Sequence, residues 1–448
     1  MGLKTKQNSS RKLGAFAIWA IGVGLVISGE SFGWNIGWGI TGPKLFFIPV
    51  ALTAIMYYAL IQGLIELACV YPEAEGPHTY VKNAFGKPLG NFIALAILFE
   101  FLFATPAVAS SLGEYIGFLN DDLESVNWVA TLFIGLFCIV NLFDLSISIL
   151  FTIALTILAI VELMIYESSV LTAFKVSNFV DNQFGEFSFD AIIRAMPFAI
   201  WLLLAIEGIS LMTNNIKREG FRKHLTRGYN AAYFTLIILA VSVLLLAGGG
   251  MAWTAETWSV ISQDNHPMPA SLALILSKDN AIVQIFTFIG LFGLIASLQG
   301  VALAATTQFE FFLNFKGLKP KAKRALASCL VFIISTFAIW GSHTSFLIEL
   351  SVFGAVCMYF GVSVALLKTR KSKDQEGLEG LSSDPVLNFK HSDFKSSKSS
   401  FFAILAASVS LFCIASLSYL QPIAFASFLG LGVIYIGVMY LRKSKKAS

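Results

Sequence analysis

Charge is what this sequence has least of. Only 13% of its 448 residues are Asp, Glu, Lys or Arg, while 56% are hydrophobic; soluble domains carry roughly 25% charged residues. A soluble chain of this length has a wide surface to cover with polar groups. The shortage excludes a water-soluble globule and requires most of the outer surface to face lipid. Cysteine is scarce too. Cys69, Cys138, Cys329, Cys357 and Cys413 form no C-x-x-C pair and lie near no His at ligand spacing. That speaks against a disulfide framework or a metal site and for small buried apolar side chains. The five His all lie in or beside polar segments. No G-x-x-x-x-G-K-[ST] loop occurs, so this chain carries no nucleotide-driven pump domain of its own. No cofactor, metal or nucleic-acid partner is expected, and no enzymatic activity.

What is present is apolar length. A membrane-crossing helix takes about 20 apolar residues, and twelve stretches qualify: 13–41, 45–71, 89–117, 125–142, 146–165, 191–214, 229–250, 281–306, 325–341, 345–367, 401–420 and 422–441. They are numbered here as spans 1 to 12. The first is too long for one straight helix, exceeds the core of a signal peptide and has no clear cleavage site, so it is expected to be retained. An even count puts both termini on one side, and Lys and Arg choose that side. With cytoplasmic termini, the segments 1–12, 72–88, 215–228, 307–324, 368–400 and 442–448 hold all of the 31 basic residues except Lys44, Lys175, Arg194 and Lys278. The expected fold class is an all-α polytopic membrane protein with 12 transmembrane helices. It is expected to be integral and multi-pass in the plasma (inner) membrane, with N- and C-termini cytoplasmic. The segment 368–400, rich in Ser, Lys and Asp, reads as a flexible cytoplasmic loop. It divides a ten-helix core, 13–367, from a terminal pair at 401–441; 1–12 and 442–448 are the tails.

Two spans carry features that a lipid-facing helix avoids. In span 1, Ile27 to Asn35 reads I-S-G-E-S-F-G-W-N; in span 6, Leu204 to Ser210 reads L-A-I-E-G-I-S. Gly29 and Gly33 weaken the helix, and Glu30 and Glu207 put carboxyls at membrane depth. There a charge costs at least about 2.5–3.5 kcal/mol and is expected to face protein or a cavity. Span 6 is span 1 plus five, and interrupted helices at corresponding positions of two halves point to an inverted-repeat transporter. The halves are then 13–165 and 191–367. Broken helices free N–H groups at one end and C=O groups at the other, the chemistry that an amine solute needs. Glycine pairs also serve as packing contacts, and a lone Glu also bonds neighbouring hydroxyls. The run Gly29-Glu30-Ser31-Phe32-Gly33 satisfies G-x-S-x-G, but a membrane span precedes it rather than a strand, so it is not a hydrolase elbow.

These residues resemble the amino acid–polyamine–organocation transporter superfamily, and within it the ethanolamine permease-like branch. The run V-x-x-G-x-x-F-G-W-N is met at Val26, Gly29, Phe32, Gly33, Trp34 and Asn35. Glu66, Leu67, Ala68 and Pro72 resemble the end of that branch's span 2, and Gly76 and Tyr80 its following loop. Phe198 to Gly208 resembles its span 6, and Ile295 to Gly300 and Leu350 to Gly354 its spans 8 and 10. The resemblance implies a leucine-transporter-type 5+5 inverted repeat plus two C-terminal helices. The chain departs from it at Asn214, Asn215, Glu219, Thr307 and Asn314, where the family carries charged residues or Pro, and at Pro77, where it carries Gly.

The working site joins Ser28, Gly29, Glu30, Ser31, Gly33 and Trp34 of span 1 with Trp201, Glu207, Gly208 and Ser210 of span 6. Glu207 is the expected partner of a solute ammonium, and Trp34 or Trp201 closes over it or packs as an ordinary interface residue. Coupling candidates are Glu30, Glu207, Glu100 and Ser297, with a proton or Na+ as the ion. Glu100, Pro106, Ser110, Ser111 and Glu114 make one side of span 3 polar. Glu66 reads as structural, and Glu162 and Glu349 as interfacial. The expected function is a secondary active transporter (permease) that moves a small amine-bearing solute, ethanolamine or an amino acid, by alternating access. The alternatives are a transporter-like membrane solute sensor without flux, and a channel. The partners are that solute and the lipid bilayer; the sequence does not set the oligomeric state.

Overall fold

The computed structural model describes residues 13–123, 125–142, 145–181, 184–185, 187–313, 318–376, 399–422, 425–426, 428–430 and 432. Apolar runs bounded by Gly, Pro and Asn form helices, since in lipid a segment must satisfy its own backbone groups. Span 1 is a bent pair, Ala15–Ser31 and Trp34–Leu45, at 65°. Spans 2 and 3 are Phe47–Val70 and Lys87–Leu119, and span 5 is Leu150–Leu171. Span 6 is Phe189–Asn215, span 7 Phe221–Gly249 and span 8 Ala281–Phe312. Spans 9, 10 and 11 are Pro320–Gly341, Thr344–Lys371 and Ser400–Leu420. Among the described residues these are nine helices long and apolar enough to cross a membrane, ten with the bent pair. One of the twelve expected spans differs and one is not described. The stretch 125–142 forms Val126–Val140, only 15 residues, shorter than a straight crossing requires. Most of 422–441 lies outside the described residues.

Two helices outrun their apolar stretches. Span 7 begins at Phe221, so Arg222, Lys223 and Arg227 ride on its first turns. The span 10 helix continues to Glu376, so the start of the segment expected as a loop is helical; residues 377–398 of that loop lie outside the described residues. Side-chain caps mark two starts: Ser188 Oγ accepts the Ala191 N–H at 2.9 Å before span 6, and Asn280 Oδ1 accepts the Ile282 N–H at 2.9 Å before span 8.

Burial sorts the spans into layers. The apolar windows of spans 3, 6 and 10 are 83%, 78% and 78% buried, against 33%, 28% and 33% for spans 5, 9 and 11. The first three therefore form the centre, and the last three turn most of their apolar surface outward, as helices against lipid do. Spans 3 and 10 are joined in the centre by Ser351, whose hydroxyl donates to the Glu100 carbonyl at 2.7 Å. At the basic end, the chain before span 1 pairs with the chain after span 6: Leu13 N–H donates to Asn215 O at 2.7 Å and Lys217 N–H to Leu13 O at 3.1 Å. At the other end, the connection between spans 7 and 8 folds into two short helices, Ala255–Gln263 and Pro267–Leu276. Asn35 of span 1 ties down the end of the first of these and the residue after it, donating to Ile261 O at 2.7 Å and Asp264 O at 2.8 Å.

Candidate functional site

Both expected interruptions occur, and they touch. Span 1 runs as helix to Val26, makes one more turn over Ser28–Ser31, and breaks at Phe32 and Gly33. Phe32 is extended, and Gly33 takes φ 95°, a conformation that costs a residue with a Cβ about 1–3 kcal/mol. Gly29 lies inside the extra turn rather than at the break. Its role is close approach: a Cβ there would stand 2.8 Å from the Trp201 carbonyl oxygen and 3.1 Å from Leu202 Cα.

Span 6 breaks earlier than its sequence suggests. The helix ends at Trp201, Leu202–Ala205 are turns, and Ala205 takes the left-handed φ of 78°. Leu and Ala are strong helix formers, so tertiary packing overrides local preference here. The chain then resumes as a ten-residue 3₁₀ helix, Ile206–Asn215. Runs beyond three or four residues are uncommon for that geometry and mark functional segments.

The expected solute residues gather around this junction, and all are buried. The Ser28 N–H donates to Ser297 Oγ at 3.2 Å, and Ser297 Oγ donates to the Gly24 carbonyl at 2.9 Å. The Ser297 hydroxyl thus fixes span 8 to the start of the break. The Ser31 carbonyl accepts from Tyr115 Oη of span 3 at 3.4 Å. Trp34 Nε1 donates to the Glu30 carbonyl at 2.8 Å, and the Trp34 ring sits edge-on to Trp38 at 4.5 Å. Trp201 lies against both Gly33 and Phe32, the latter with ring centroids 5.4 Å apart, and among the described residues its indole N–H has no hydrogen-bond partner. Gly208 faces Leu25 and Phe101. The Ser210 hydroxyl shares a 2.8 Å hydrogen bond with Tyr229 Oη.

The acids divide differently from expectation. Glu207 stands not with Glu30 but with Glu100 of span 3 and the Tyr359 hydroxyl of span 10. Tyr359 Oη shares a 2.8 Å hydrogen bond with Tyr57 Oη, and Tyr57 donates to the Ile200 carbonyl at 3.3 Å. The carboxyl oxygens of Glu100 and Glu207 are in each other's reach, yet none makes a hydrogen bond of regular geometry. Two buried carboxyls therefore face one another with spare acceptor capacity, an arrangement that suits a proton or an ammonium between them. Among the described residues no charged group acts on the Glu30 carboxyl, which is buried and unpartnered. Glu162, expected at an interface, is only 1% exposed: its Oε1 lies against Gly290 of span 8 beside the Tyr115 ring. Glu349 is half-buried and accepts from Gln421 Nε2 at 2.6 Å. Glu66 pairs with Arg370 through both carboxyl oxygens, one at 2.7 Å.

The sequence reading missed the tyrosines. Tyr57, Tyr115, Tyr229 and Tyr359 are fully buried, each with its hydroxyl placed on span 1, span 6 or the acid pair. For Tyr57 and Tyr359 the signal was available, a phenol far inside an apolar run, away from the interfacial belts where membrane tyrosines usually sit; Tyr115 and Tyr229 lie at the ends of their runs and gave none.

A many-helix bundle with a buried polar centre built on two broken spans defines the class, an integral multi-pass membrane protein. The chain belongs to the amino acid permease family, which it matches over residues 13–441, within the superfamily that its motifs resemble. An uncharacterized transporter of Rhizobium meliloti is 24% identical over 256 residues, 54% of each chain. An amino-acid permease of Hypocrea atroviridis is 26% identical over 102 residues, 23% of this chain and 18% of that protein. The chain thus spans about half the length, or less, of these curated relatives.

Proposed function

We propose that this protein is a secondary transporter for a small amine-bearing solute. The observation that carries the reading is the junction itself: the breaks of spans 1 and 6 abut at Gly29 and Trp201, and the paired carboxyls of Glu100 and Glu207 lie beside them. The ammonium of the solute binds at Glu207, and carbonyls freed by the breaks take its remaining protons. A charge-assisted hydrogen bond of this kind contributes about 1.5–3 kcal/mol. Two facing carboxylates repel in a dry site, so the pair carries a proton between them when no cation is bound. Exchange of that proton for the solute ammonium couples the two fluxes, with H+ rather than Na+ as the ion. Ser297 supports this choice, because its hydroxyl is engaged with Gly24 and Ser28.

The solute is an amino alcohol of the ethanolamine type rather than a zwitterionic amino acid. The site offers carboxylates, whereas every Lys and Arg lies in or beside a segment between spans or in a tail. The proposal includes the twelve-span, 5+5 inverted-repeat arrangement, with 13–165 and 191–367 as the halves, cytoplasmic termini and the plasma membrane. Alternating access then rocks the segments that carry the breaks against the rest. The test is uptake into proteoliposomes of radiolabelled ethanolamine and a panel of amino acids. Saturable uptake of one amine supports the reading. Binding without flux for every solute replaces it with the sensor, and non-saturable flux with a channel.

A further inference from the structure

Past its break, span 1 continues as Trp34–Leu45, and the first turn of this half-helix carries Asn35, 0% exposed. The amide works in two directions. Its Oδ1 accepts the Gly33 N–H at 3.0 Å, one of the backbone groups that a helix start leaves free. Its Nδ2 donates to the Ile261 carbonyl at 2.7 Å and the Asp264 carbonyl at 2.8 Å. Those oxygens belong to the last turn of Ala255–Gln263 and to the residue that ends it, where helix carbonyls have no partner of their own. One side chain thus satisfies both the break of span 1 and the end of the helix facing it. The strip 261–265 is also held by span 3, whose Ser111 hydroxyl donates to the Asn265 carbonyl at 2.9 Å. Asp264 shapes the strip from within, its Oδ1 accepting the His266 N–H at 3.0 Å. Indole rings fill the space between the site and the short helix: Trp34 meets Trp38 at 4.5 Å, Trp38 meets Trp253 at 5.6 Å, and Trp253 meets Trp258 at 5.6 Å.

We propose that Asn35 is a positioning residue: through its amide, the break of span 1 sets the place of the segment 255–276, which covers the end of the site away from the basic loops. The coupling is geometric. The Gly33 N–H and the two carbonyls of the cover converge on one planar amide, so turning the half-helix at Gly33 moves acceptor and donors together. Solute at the junction sets the angle of the break, and the same amide carries that change to the cover. In this structure the cover is shut, with both donors of Asn35 engaged. Solute entering from that end requires both to part from Ile261 and Asp264. Hydrogen bonds between neutral groups are modest in net strength, which suits contacts made and broken in every cycle.

The inference rests on the proposed amine transport, and one experiment separates the two. Gly39 lies one turn beyond Asn35, and a Cβ there would stand 3.2 Å from Ser262 Cβ of the cover. Disulfides span about 3.5–4.5 Å between Cβ atoms, so Gly39→Cys with Ser262→Cys cross-links the shut cover after a small shift. Reduced, this pair is expected to take up ethanolamine within about twofold of native; oxidised, it stops, and reductant restores it. The rate of cross-linking under a mild oxidant then counts molecules with the cover shut. Ethanolamine is expected to raise that rate. Asn35→Ala, added to the pair, is expected to lower the rate about fivefold or more and to remove its response to ethanolamine. A merely structural amide would lower the rate with and without ethanolamine alike. Asn35→Asp keeps the acceptor for Gly33 and loses both donors, so it should act as Asn35→Ala does and stands in for it if that variant fails to fold. A response to ethanolamine that survives in these variants overturns the positioning role and leaves the transporter standing. So does a pair that never cross-links, or one that transports when oxidised. A native protein that takes up no ethanolamine overturns the transport reading and this inference with it.

Discussion

Gly29→Ala is a sharp test of how the two breaks meet. The added methyl would stand 2.8 Å from the Trp201 carbonyl oxygen, 3.1 Å from Leu202 Cα and 3.3 Å from Leu202 C. These are backbone atoms of an interrupted helix rather than the end of a flexible side chain, so relief requires the two spans to separate. Overpacking of this kind costs about 1–3 kcal/mol, a roughly 5- to 150-fold loss in the folded-to-unfolded ratio. Gly341 is the matched control, because a Cβ there meets nothing within 4 Å. The assay is thermal unfolding in one detergent, with solute uptake measured on the same preparations. Gly29→Ala is expected to melt clearly below native and to lose uptake, while Gly341→Ala stays at native or slightly above it. Equal melting of the two variants would refute the abutting of spans 1 and 6.

Two further predictions concern the basic end. Glu66→Gln leaves Arg370 largely buried, at 15% side-chain exposure, without its counter-charge. The cost is about 3 kcal/mol, largely recovered when Arg370→Met accompanies Glu66→Met; detergent melts of the single and double variants read both numbers. Burial, with Lys82 adding to it, pushes the His78 imidazole from 6.5 down to about 4. The unfolded chain then takes up a proton near pH 6.5 and the folded one not until about 4. Stability is therefore complete above that window and falls with pH through it, by about 3 kcal/mol at the low end. His78→Gln should remove this slope from melts recorded across the same window, and an unchanged slope would contradict the assignment.

Much of the fold was legible because a bilayer demands long apolar helices, and those are visible in one dimension. The interruption of span 1 was legible for the same reason, since Gly29, Glu30 and Gly33 are conspicuous in an apolar run. The interruption of span 6 was legible from Glu207 and Gly208, but its position just before them was not. Leu202, Leu203, Leu204 and Ala205 favour helix, and what packs against their break, Gly29 of span 1 among it, is distant in sequence. Glu207 drew notice as an acid at membrane depth, but its partner did not: Glu100 comes from span 3, and pairing across spans leaves no local pattern. Glu162 was misplaced because distance from a helix end reports depth and says nothing of which face a residue occupies. Span 8 supplies Gly290 on that face, and the acid packs against it. The 3₁₀ geometry that aligns Glu207, Ser210 and Thr213 was invisible for a related reason. At the helical period of 3.6 these residues drift apart, and only the tighter turn stacks them.

The central claim is that Glu207, at the meeting of the two broken spans, holds the ammonium of a transported solute. Glu207→Gln keeps the shape of the side chain and removes its charge. Uptake of the amine by native and variant protein, reconstituted at equal folded amounts, tests the claim most directly. Loss of one charge-assisted contact, about 1.5–3 kcal/mol, predicts a fall in uptake efficiency of roughly 10- to 150-fold. Native uptake by Glu207→Gln would contradict the account and remove Glu207 from the site.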